Sequence, residues 1–189
     1  MIIALTGKNA SGKGEVAAYL KTKGFVYYSL SDELREEATK RSIKHSRENL
    51  TNLGNELRKK YGPSYLAKKI NNKIKEQLEK SNNNGINFVI DSIRNPSEAK
   101  ELMKNKDFIL VGIEAPIELR FKRLLERNRA GDTKTLEDFK KQEERENLNN
   151  ATNQQLDETF KLSQKVIIND GSLEELHKKI DDLLSQFKK

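Results

Sequence analysis

Residues 7 to 13 of this sequence have the types and the spacing of a loop that binds phosphate groups. The segment reads Gly-Lys-Asn-Ala-Ser-Gly-Lys, follows a short apolar run and opens a predicted helix. Its glycines allow backbone N–H groups to turn inward around phosphate oxygens, and the helix adds the positive end of its dipole. Lys13 brings a mobile positive charge to the β- and γ-phosphates of a nucleoside triphosphate. The residues predicted to bind ATP are Gly7, Lys8, Asn9, Ala10, Ser11, Gly12, Lys13, Gly14 and Glu15.

The residues after Lys13 depart from the usual phosphate-loop motif. That motif continues with a serine or threonine whose hydroxyl binds Mg²⁺, whereas Gly14 and Glu15 follow here. We still expect ATP and Mg²⁺ together as the cofactors. Because Mg²⁺ keeps several water ligands, we expect ATP oxygens, water and the carboxylate of Asp91 to hold it.

Asp91 ends the apolar run Phe-Val-Ile-Asp, which predicts a strand over Phe88–Asp91. Because the carboxyl ends of parallel strands lie at one edge of a sheet, its carboxylate is expected to face the phosphates held by the loop. It can order the water shell of Mg²⁺ or accept the proton of an attacking hydroxyl. We predict Asp91 as a catalytic residue that contacts the metal through water, with a strand-end cap as the alternative.

Short apolar runs alternate with helical segments along the whole chain. The predicted strands are Ile2–Thr6, Phe25–Tyr28, Phe88–Asp91, Phe108–Ile113 and Val166–Ile168. This alternation is typical of an α/β fold, with a parallel sheet covered by helices on both faces and ligands at the carboxyl ends of the strands. A chain of 189 residues fits one such domain, so we predict a single domain over residues 1–189.

Composition restricts the classes of partner and site. The sequence has no cysteine, which excludes disulfides and thiolate metal sites. No run approaches the ~18 apolar residues that a membrane span needs, so we expect a cytoplasmic protein without a membrane partner. The net charge of +7 suits a polyanionic ligand, either a nucleotide or a nucleic acid.

Six segments, taken in order, resemble the adenylate-kinase-related and dephospho-CoA-kinase-like nucleotide kinases. They are GKNASGKGE, SLSDELREEA, ELRKKYGPSYLA, VIDSIRNPSEA, RFKRLLERNRAGD and VIINDGSLEEL, and the resemblance covers Met1 to about Leu184. It implies a P-loop NTPase fold with a five-stranded parallel sheet in the order 2-3-1-4-5. It also implies ATP with Mg²⁺ and phosphoryl transfer to a small, nucleotide-like acceptor.

The resemblance also implies where the acceptor binds. Asp32 and Arg35 match an Asp-x-x-Arg pattern of these kinases, in which the arginine grips the acceptor's phosphate. Arg94 is the counterpart of a second arginine that binds the same phosphate. The helical stretch over about 32–80 is therefore expected to form the acceptor-binding region.

A third set of residues is implied for the nucleotide and for a mobile lid. Arg123 corresponds to an arginine that stacks on adenine, and Arg127 to one that closes on the phosphates from a lid over about 127–150. Arg127 and Arg129 are expected to cover the transferring group as catalytic residues. For Arg120 we expect a solvent-exposed position on a basic helix.

The loop after the last strand is expected to border the adenine. Asn169 or Gly171 can contact the base there, although a plain strand-to-helix turn explains the same residues. Ser172 and Glu175 predict a capping box for a final helix. His45 has no partner pattern and is expected to lie at the surface without a catalytic role.

These observations predict an enzyme that moves the terminal phosphoryl group of ATP to a small phosphorylated acceptor. A nucleoside or deoxynucleoside monophosphate is the first acceptor class, and the ribose hydroxyl of dephospho-CoA is the alternative. The segment Asp91–Arg94 lacks the Gly-Phe-Pro of adenylate kinase proper, so AMP is not the expected acceptor. Two other classes stay open: an ATP-binding regulatory switch with slow hydrolysis, and a kinase that acts on nucleic acid.

Overall fold

The computed structural model describes residues 1–82, 85–128, 132–145 and 154–187. The strands are β1 Ile2–Thr6, β2 Val26–Ser29, β3 Phe88–Asp91, β4 Phe108–Glu114 and β5 Lys165–Ile168. The helices up to β3 are α1 Lys13–Thr22, α2 Leu30–Lys40, α3 Arg47–Tyr61 and α4 Tyr65–Lys80. The later helices are α5 Pro96–Leu102, α6 Ile117–Arg127, α7 Leu136–Arg145, α8 Leu156–Lys161 and α9 Leu173–Ser185.

The strands form one parallel sheet in the order β2-β3-β1-β4-β5. The α/β fold with a five-stranded sheet in the order 2-3-1-4-5 is therefore confirmed. All five residues of β1 are buried because this strand lies at the centre of the sheet. The carboxyl end of β1, which leads into the phosphate loop, consequently has strand ends on both sides.

The side chains of β1 alternate between two hydrophobic cores, one on each face of the sheet. Ile2 and Ala4 belong to a core shared with α2, α3, α4 and α5. Ile3 and Leu5 belong to the other core, shared with α1 and α9. The region predicted for the acceptor thus covers one face, and the helix that follows the phosphate loop covers the other.

Helix ends follow the capping chemistry of the sequence. The predicted box of Ser172 and Glu175 is present at the start of α9, and Asn95 with Glu98 forms a second box at α5. Leu173, at the first position after the cap, is 46% exposed. The short helix α8 was not predicted from the sequence.

None of the helices within these described ranges is long and apolar enough to cross a membrane.

Candidate active site

The segment between β1 and α1 forms a tight loop that two glycines make possible. Gly7 has a φ of +140°, and a Cβ there would lie 2.2 Å from the carbonyl oxygen of Ile113. Gly12 has a φ of +102°, and a Cβ there would lie 2.1 Å from Nδ2 of Asn169. Both positions combine a positive φ with close neighbours, so they require glycine. Helix α1 then begins at Lys13, which directs the positive end of its dipole at the loop.

The side chain of Lys13 lies within the curve of this loop. Its ammonium group donates hydrogen bonds to the carbonyl oxygens of Gly7 at 2.7 Å and of Lys8 at 2.8 Å. The positive charge is thereby held beside the backbone that is expected to surround phosphate oxygens. Gly14 has open space around it, and Glu15 is exposed in the first turn of α1.

Asn169 connects the phosphate loop to two other segments. Its side chain is 5% exposed, and Nδ2 donates to the carbonyl oxygen of Ser11 at 2.9 Å. Arg123 of α6 donates to the backbone oxygen of Asn169 at 3.2 Å and to Oδ1 at 3.3 Å. The structure therefore brings Arg123 and Asn169 together beside the loop. Gly171 lies further on, where a Cβ would collide with the capping carboxylate of Glu175 at 1.6 Å.

Asp91 lies at the carboxyl end of β3, next to the strand that leads into the loop. Its Oδ1 accepts a hydrogen bond from the backbone N–H of Ser92 at 2.6 Å. The turn that follows is tied to β1, because Thr6 donates from Oγ1 to the carbonyl oxygen of Ile93 at 3.0 Å. These contacts hold the carboxylate at the edge of the sheet where the loop begins.

Arg120 is buried, so the expectation of a solvent-exposed residue was wrong. Its side chain is 4% exposed and forms an ion pair with Glu143 of α7, which is 7% exposed. It also donates to the carbonyl oxygens of Ala115 at 2.9 Å and of Asn9 at 3.3 Å. Since Glu143 lies 23 residues further along the chain, no local pattern in the sequence indicated this contact.

The described part of the predicted lid packs on α6. Phe139 of α7 is fully buried, and its ring centroid lies 5.9 Å from that of Phe121. Arg127 donates to both carboxylate oxygens of Asp132, at 2.9 and 2.8 Å, and to Oδ1 of Asn9 at 3.3 Å. Arg127 is thus in contact with the phosphate loop. Lid motion stays a prediction, and Arg129 lies outside the described residues.

A cavity of about 230 Å³ adjoins the phosphate loop. We call it the arginine cavity, because its wall contains Arg35, Arg47, Arg94 and Arg127, together with Asn9 of the loop. Arg35 and Arg94, which were predicted to bind the acceptor, are therefore brought together at one site. The backbone oxygen of Arg94 accepts a hydrogen bond from the N–H of Gln155 at 2.8 Å, which fixes this part of the wall.

Asp32, which was also predicted to bind the acceptor, is not among the residues that line the arginine cavity. Its carboxylate accepts a hydrogen bond from Arg35 at 2.6 Å, and its side chain is 54% exposed. The contact places Asp32 behind Arg35, as a partner that holds the guanidinium.

Reasoning from the sequence missed several residues of the cavity wall, among them His45, Arg47 and Thr51. His45 lies in the segment between α2 and α3, and Arg47 and Thr51 lie in the first and second turns of α3. His45 is exposed, and its Nε2 lies 3.0 Å from Oγ1 of Thr39. The signal in the sequence was a basic residue at a helix start, which is common on protein surfaces.

A second cavity, of about 410 Å³, also adjoins the phosphate loop. Gly7 and Lys8 form one side of it, and Ala115, directly after β4, and Phe160 of α8 also line it. Lys8 forms an ion pair with Asp157 of α8 at 3.4 Å. Ser11 of the loop also lines this cavity, whereas Gly12 and Lys13 do not.

The donor set at the loop fits a Mg²⁺ ion that keeps most of its water. Within the ranges given above, no group of three or more histidine or acidic residues is placed to hold a metal. Asp91 contributes a single carboxylate at the edge of the sheet. One carboxylate, with phosphate oxygens and water, is a common ligand set for Mg²⁺ in nucleotide-binding proteins.

Sequence comparison places the chain among known proteins. Residues 6–140 match a family model described as an AAA domain. The UPF0200 protein of Pyrococcus abyssi is 33% identical over 187 residues, which cover 97% of this chain and 95% of that relative. This chain belongs to the UPF0200 family. A UPF0200/UPF0201 protein of Archaeoglobus fulgidus is also 33% identical, over 190 residues, and the UPF0200 chain spans 56% of its length.

Solved structures share the fold of this UPF0200 protein. The Thermus thermophilus protein TT1252 has a TM-score of 0.59 at 22% identity, with coverage of 100% of this chain and 98% of the other. Shikimate kinase from Aquifex aeolicus has a TM-score of 0.51 at 18% identity, with coverage of 98% and 97%. The fold is therefore that of a P-loop kinase-like protein. A finer relation to adenylate or dephospho-CoA kinases stays a prediction.

Proposed function

We propose that this UPF0200 protein transfers the terminal phosphoryl group of ATP to a small anionic acceptor. The observation that supports this proposal is the position of Asn9. It is a residue of the phosphate loop and also part of the wall of the arginine cavity. A donor held by the loop and an acceptor held in the cavity would therefore meet at a shared wall.

The side chains at that wall suit phosphoryl transfer, in which positioning and charge neutralisation supply most of the acceleration. The loop amides and Lys13 would hold the phosphates of ATP. Arg127 contacts Asn9 and would neutralise charge on the transferring group. Arg35 and Arg94 would hold the acceptor, because a guanidinium meets two phosphate or carboxylate oxygens at once.

Asp91 is the residue that would contact Mg²⁺, through water. When bound, the ion neutralises negative charge on the β- and γ-phosphates. The further role of Asp91 depends on the acceptor. A phosphate oxygen is already a nucleophile and needs only orientation, whereas a hydroxyl needs a base, and the Asp91 carboxylate would accept its proton.

Two acceptor classes follow from the resemblance to nucleotide kinases. One is a nucleoside or deoxynucleoside monophosphate, and the other is a ribose hydroxyl as in dephospho-CoA. The arginine cavity, at about 230 Å³, is smaller than the usual range for drug-sized ligands. A compact acceptor, or the reacting end of a larger one, fits this volume.

A coupled ADP-release assay with magnesium tests the proposal, using panels of nucleoside monophosphates and dephospho-CoA. We expect at least one acceptor to raise ADP release roughly tenfold or more above the rate with ATP alone. Lys13→Ala should lower kcat/KM by about a hundredfold, the loss typical of a deleted transition-state contact. Lys21→Ala removes an exposed lysine at the other end of α1 and should leave the rate unchanged. ATP turnover that no acceptor raises would favour the regulatory switch and contradict the proposal.

A further inference from the structure

The arginine cavity has two walls formed by different parts of the chain. The P-loop wall consists of Asn9 and the paired Arg127 and Asp132. The helical wall comes from α2, α3 and the segment between them, and its polar side chains are Ser31, Arg35, His45, Arg47 and Thr51. An acceptor in the cavity therefore has cationic side chains of the helical wall around it, in addition to those beside the loop.

The helical wall is held together by hydrogen bonds. Oγ1 of Thr39 donates to the backbone oxygen of Arg35 at 2.9 Å, and the same hydroxyl lies 3.0 Å from Nε2 of His45. Helix α3 begins at Arg47, after the cap formed by Ser46. The positive end of the α3 dipole therefore adds to the cationic side chains at this wall.

Apolar side chains lie among these polar groups. Leu34 of α2 and Leu50 of α3 both line the cavity, and Leu34 is 9% exposed. Because water is partly excluded by such side chains, charges near them interact more strongly than they do in bulk solvent. The wall thus favours a ligand with a short carbon skeleton and negative charge.

Asn9, at the P-loop wall, retains an unused hydrogen-bond donor. Its Nδ2 is buried and has no partner in the described ranges. Buried polar atoms normally have partners, and an amide N–H donates to the oxygens of an anion, so this group indicates a place where a ligand oxygen binds beside the loop.

We propose that the acceptor carries an anionic group, a phosphate or a carboxylate, that is separate from the atom receiving the phosphoryl group. Arg47, with His45 and Thr51, binds this second group at the helical wall. The inference rests on the proposed function, which puts the receiving atom beside the phosphate loop. A group beside Arg47 is then a different part of the acceptor.

The presence of a second anionic group distinguishes the two acceptor classes. A nucleoside monophosphate carries its negative charge on the phosphate that would receive the phosphoryl group, and it would present a neutral nucleoside to the helical wall. An alcohol with a distant phosphate or carboxylate presents its hydroxyl to the loop and its anion to Arg47. The helical wall favours the second class.

Calorimetric binding of small phosphonates to the full chain tests this assignment. The probes are propylphosphonate, the α,ω-bisphosphonates from ethane to butane, and 3-phosphonopropionate. ADP is present to occupy the loop, and EDTA removes divalent cations. We expect at least one two-anion probe to bind roughly tenfold more tightly than propylphosphonate, which corresponds to about 1.4 kcal/mol. Whether the bisphosphonate or the phosphonocarboxylate is preferred identifies the second anion.

Arg47→Met should reduce the preference for two anions to less than about threefold while propylphosphonate still binds. Lys44→Met removes one charge from a nearby exposed position outside the cavity and should retain the preference. If Arg47→Met does not fold, the nearly isosteric Thr51→Val should reduce the preference by roughly threefold. Equal binding of one-anion and two-anion probes, or a preference that these variants leave intact, overturns the inference.

The binding result is independent of turnover. A preference for two anions without acceptor-stimulated ADP release contradicts the kinase proposal alone. ADP release that a monophosphate stimulates, together with equal binding of the probes, contradicts only the second anionic group.

Discussion

The side chain of Asn169 links the phosphate loop to helix α6. Its amide joins the phosphate loop at Ser11 to Arg123 of α6, and Arg123 makes a second contact with the backbone oxygen of Asn169. The carbonyl of Ser11 and the guanidinium of Arg123 both lose a partner when the amide is removed. The cost of an unsatisfied buried polar group is about 1–3 kcal/mol.

We therefore expect Asn169→Ala to weaken ADP binding by roughly tenfold, within the range that this cost allows. Isothermal titration calorimetry with ADP measures the effect. Asn105→Ala is a matched control, since this amide also bridges two groups, Oδ1 of Asn71 and the carbonyl of Leu102, each at 2.8 Å. The control variant should bind ADP like the wild type. Equal ADP affinity in the Asn169 variant would show that the link does not shape the site.

The residues of the site differ in how far the sequence reveals them. Gly12 and Lys13 belong to a local motif whose spacing alone predicts the loop. Arg120 was placed wrongly because its partner Glu143 is distant in sequence and because burial of an arginine depends on the packing of α7. Arg47 and Thr51 were missed because nothing local distinguishes them from residues on an exposed helix.

A buried ion pair connects helix α7, through Arg120 of α6, to the phosphate loop. Arg120 contacts Glu143 of α7 and the backbone of Asn9, and its guanidinium lies 5.5 Å from the ring centroid of Phe139. Removing one partner of such a pair leaves an uncompensated buried charge, which typically costs 3–5 kcal/mol. This link is the reason to expect that α7 and the loop move together.

Glu143→Ala should accordingly lower the free energy of unfolding by about 3–5 kcal/mol. Urea denaturation followed by circular dichroism measures this change. Glu137→Ala, in the same helix, breaks an exposed pair with Lys141 whose side chains are 77% and 59% exposed. Exposed pairs contribute about 0–1 kcal/mol, so the control should be nearly neutral. Similar losses in the two variants would mean that burial of the pair is unimportant.

Most elements were predictable because each carries its own pattern. The apolar runs predicted every strand to within a residue or two, and the capping box predicted the start of α9. Helix α8 was missed because it has six residues, of which Leu156 and Thr159 are the buried ones. A helix of about one and a half turns, with so few inward side chains, is too short for its helical period to be recognised in the sequence. Its position depends on contacts with distant residues, such as that between Gln155 and Arg94.

At alkaline pH the stability of the whole molecule depends on the pKa values of a paired lysine and a partly buried tyrosine. Lys73 of α4 forms a hydrogen-bonded ion pair with the buried Glu33 of α2, and this bond raises the pKa of Lys73 above its ordinary value of 10.5. Burial raises the pKa of the Tyr28 hydroxyl above its ordinary value of 10.0. Both groups therefore hold their protons more tightly in the folded protein than in the unfolded chain.

The sign of the pH dependence follows from this difference. Where the folded state binds more protons than the unfolded state, the free energy of unfolding falls as pH rises. The contribution is fully present below about pH 10, where both groups are protonated in either state, and it is lost as pH rises through the raised pKa values. A second effect opposes it, because deprotonation of lysines lowers the net charge of +7 and reduces self-repulsion.

Salt separates the two effects, since the Debye length is about 3 Å at 1 M and self-repulsion is then screened. In 1 M NaCl we expect the free energy of unfolding, from urea titrations between pH 9 and pH 11, to decline above about pH 10. Lys73→Met should make this decline shallower. Lys75→Met removes a lysine of the same helix that is 78% exposed, and it should keep the decline of the wild type. A decline that is the same with and without Lys73 would mean that the link between α2 and α4 does not set the alkaline limit.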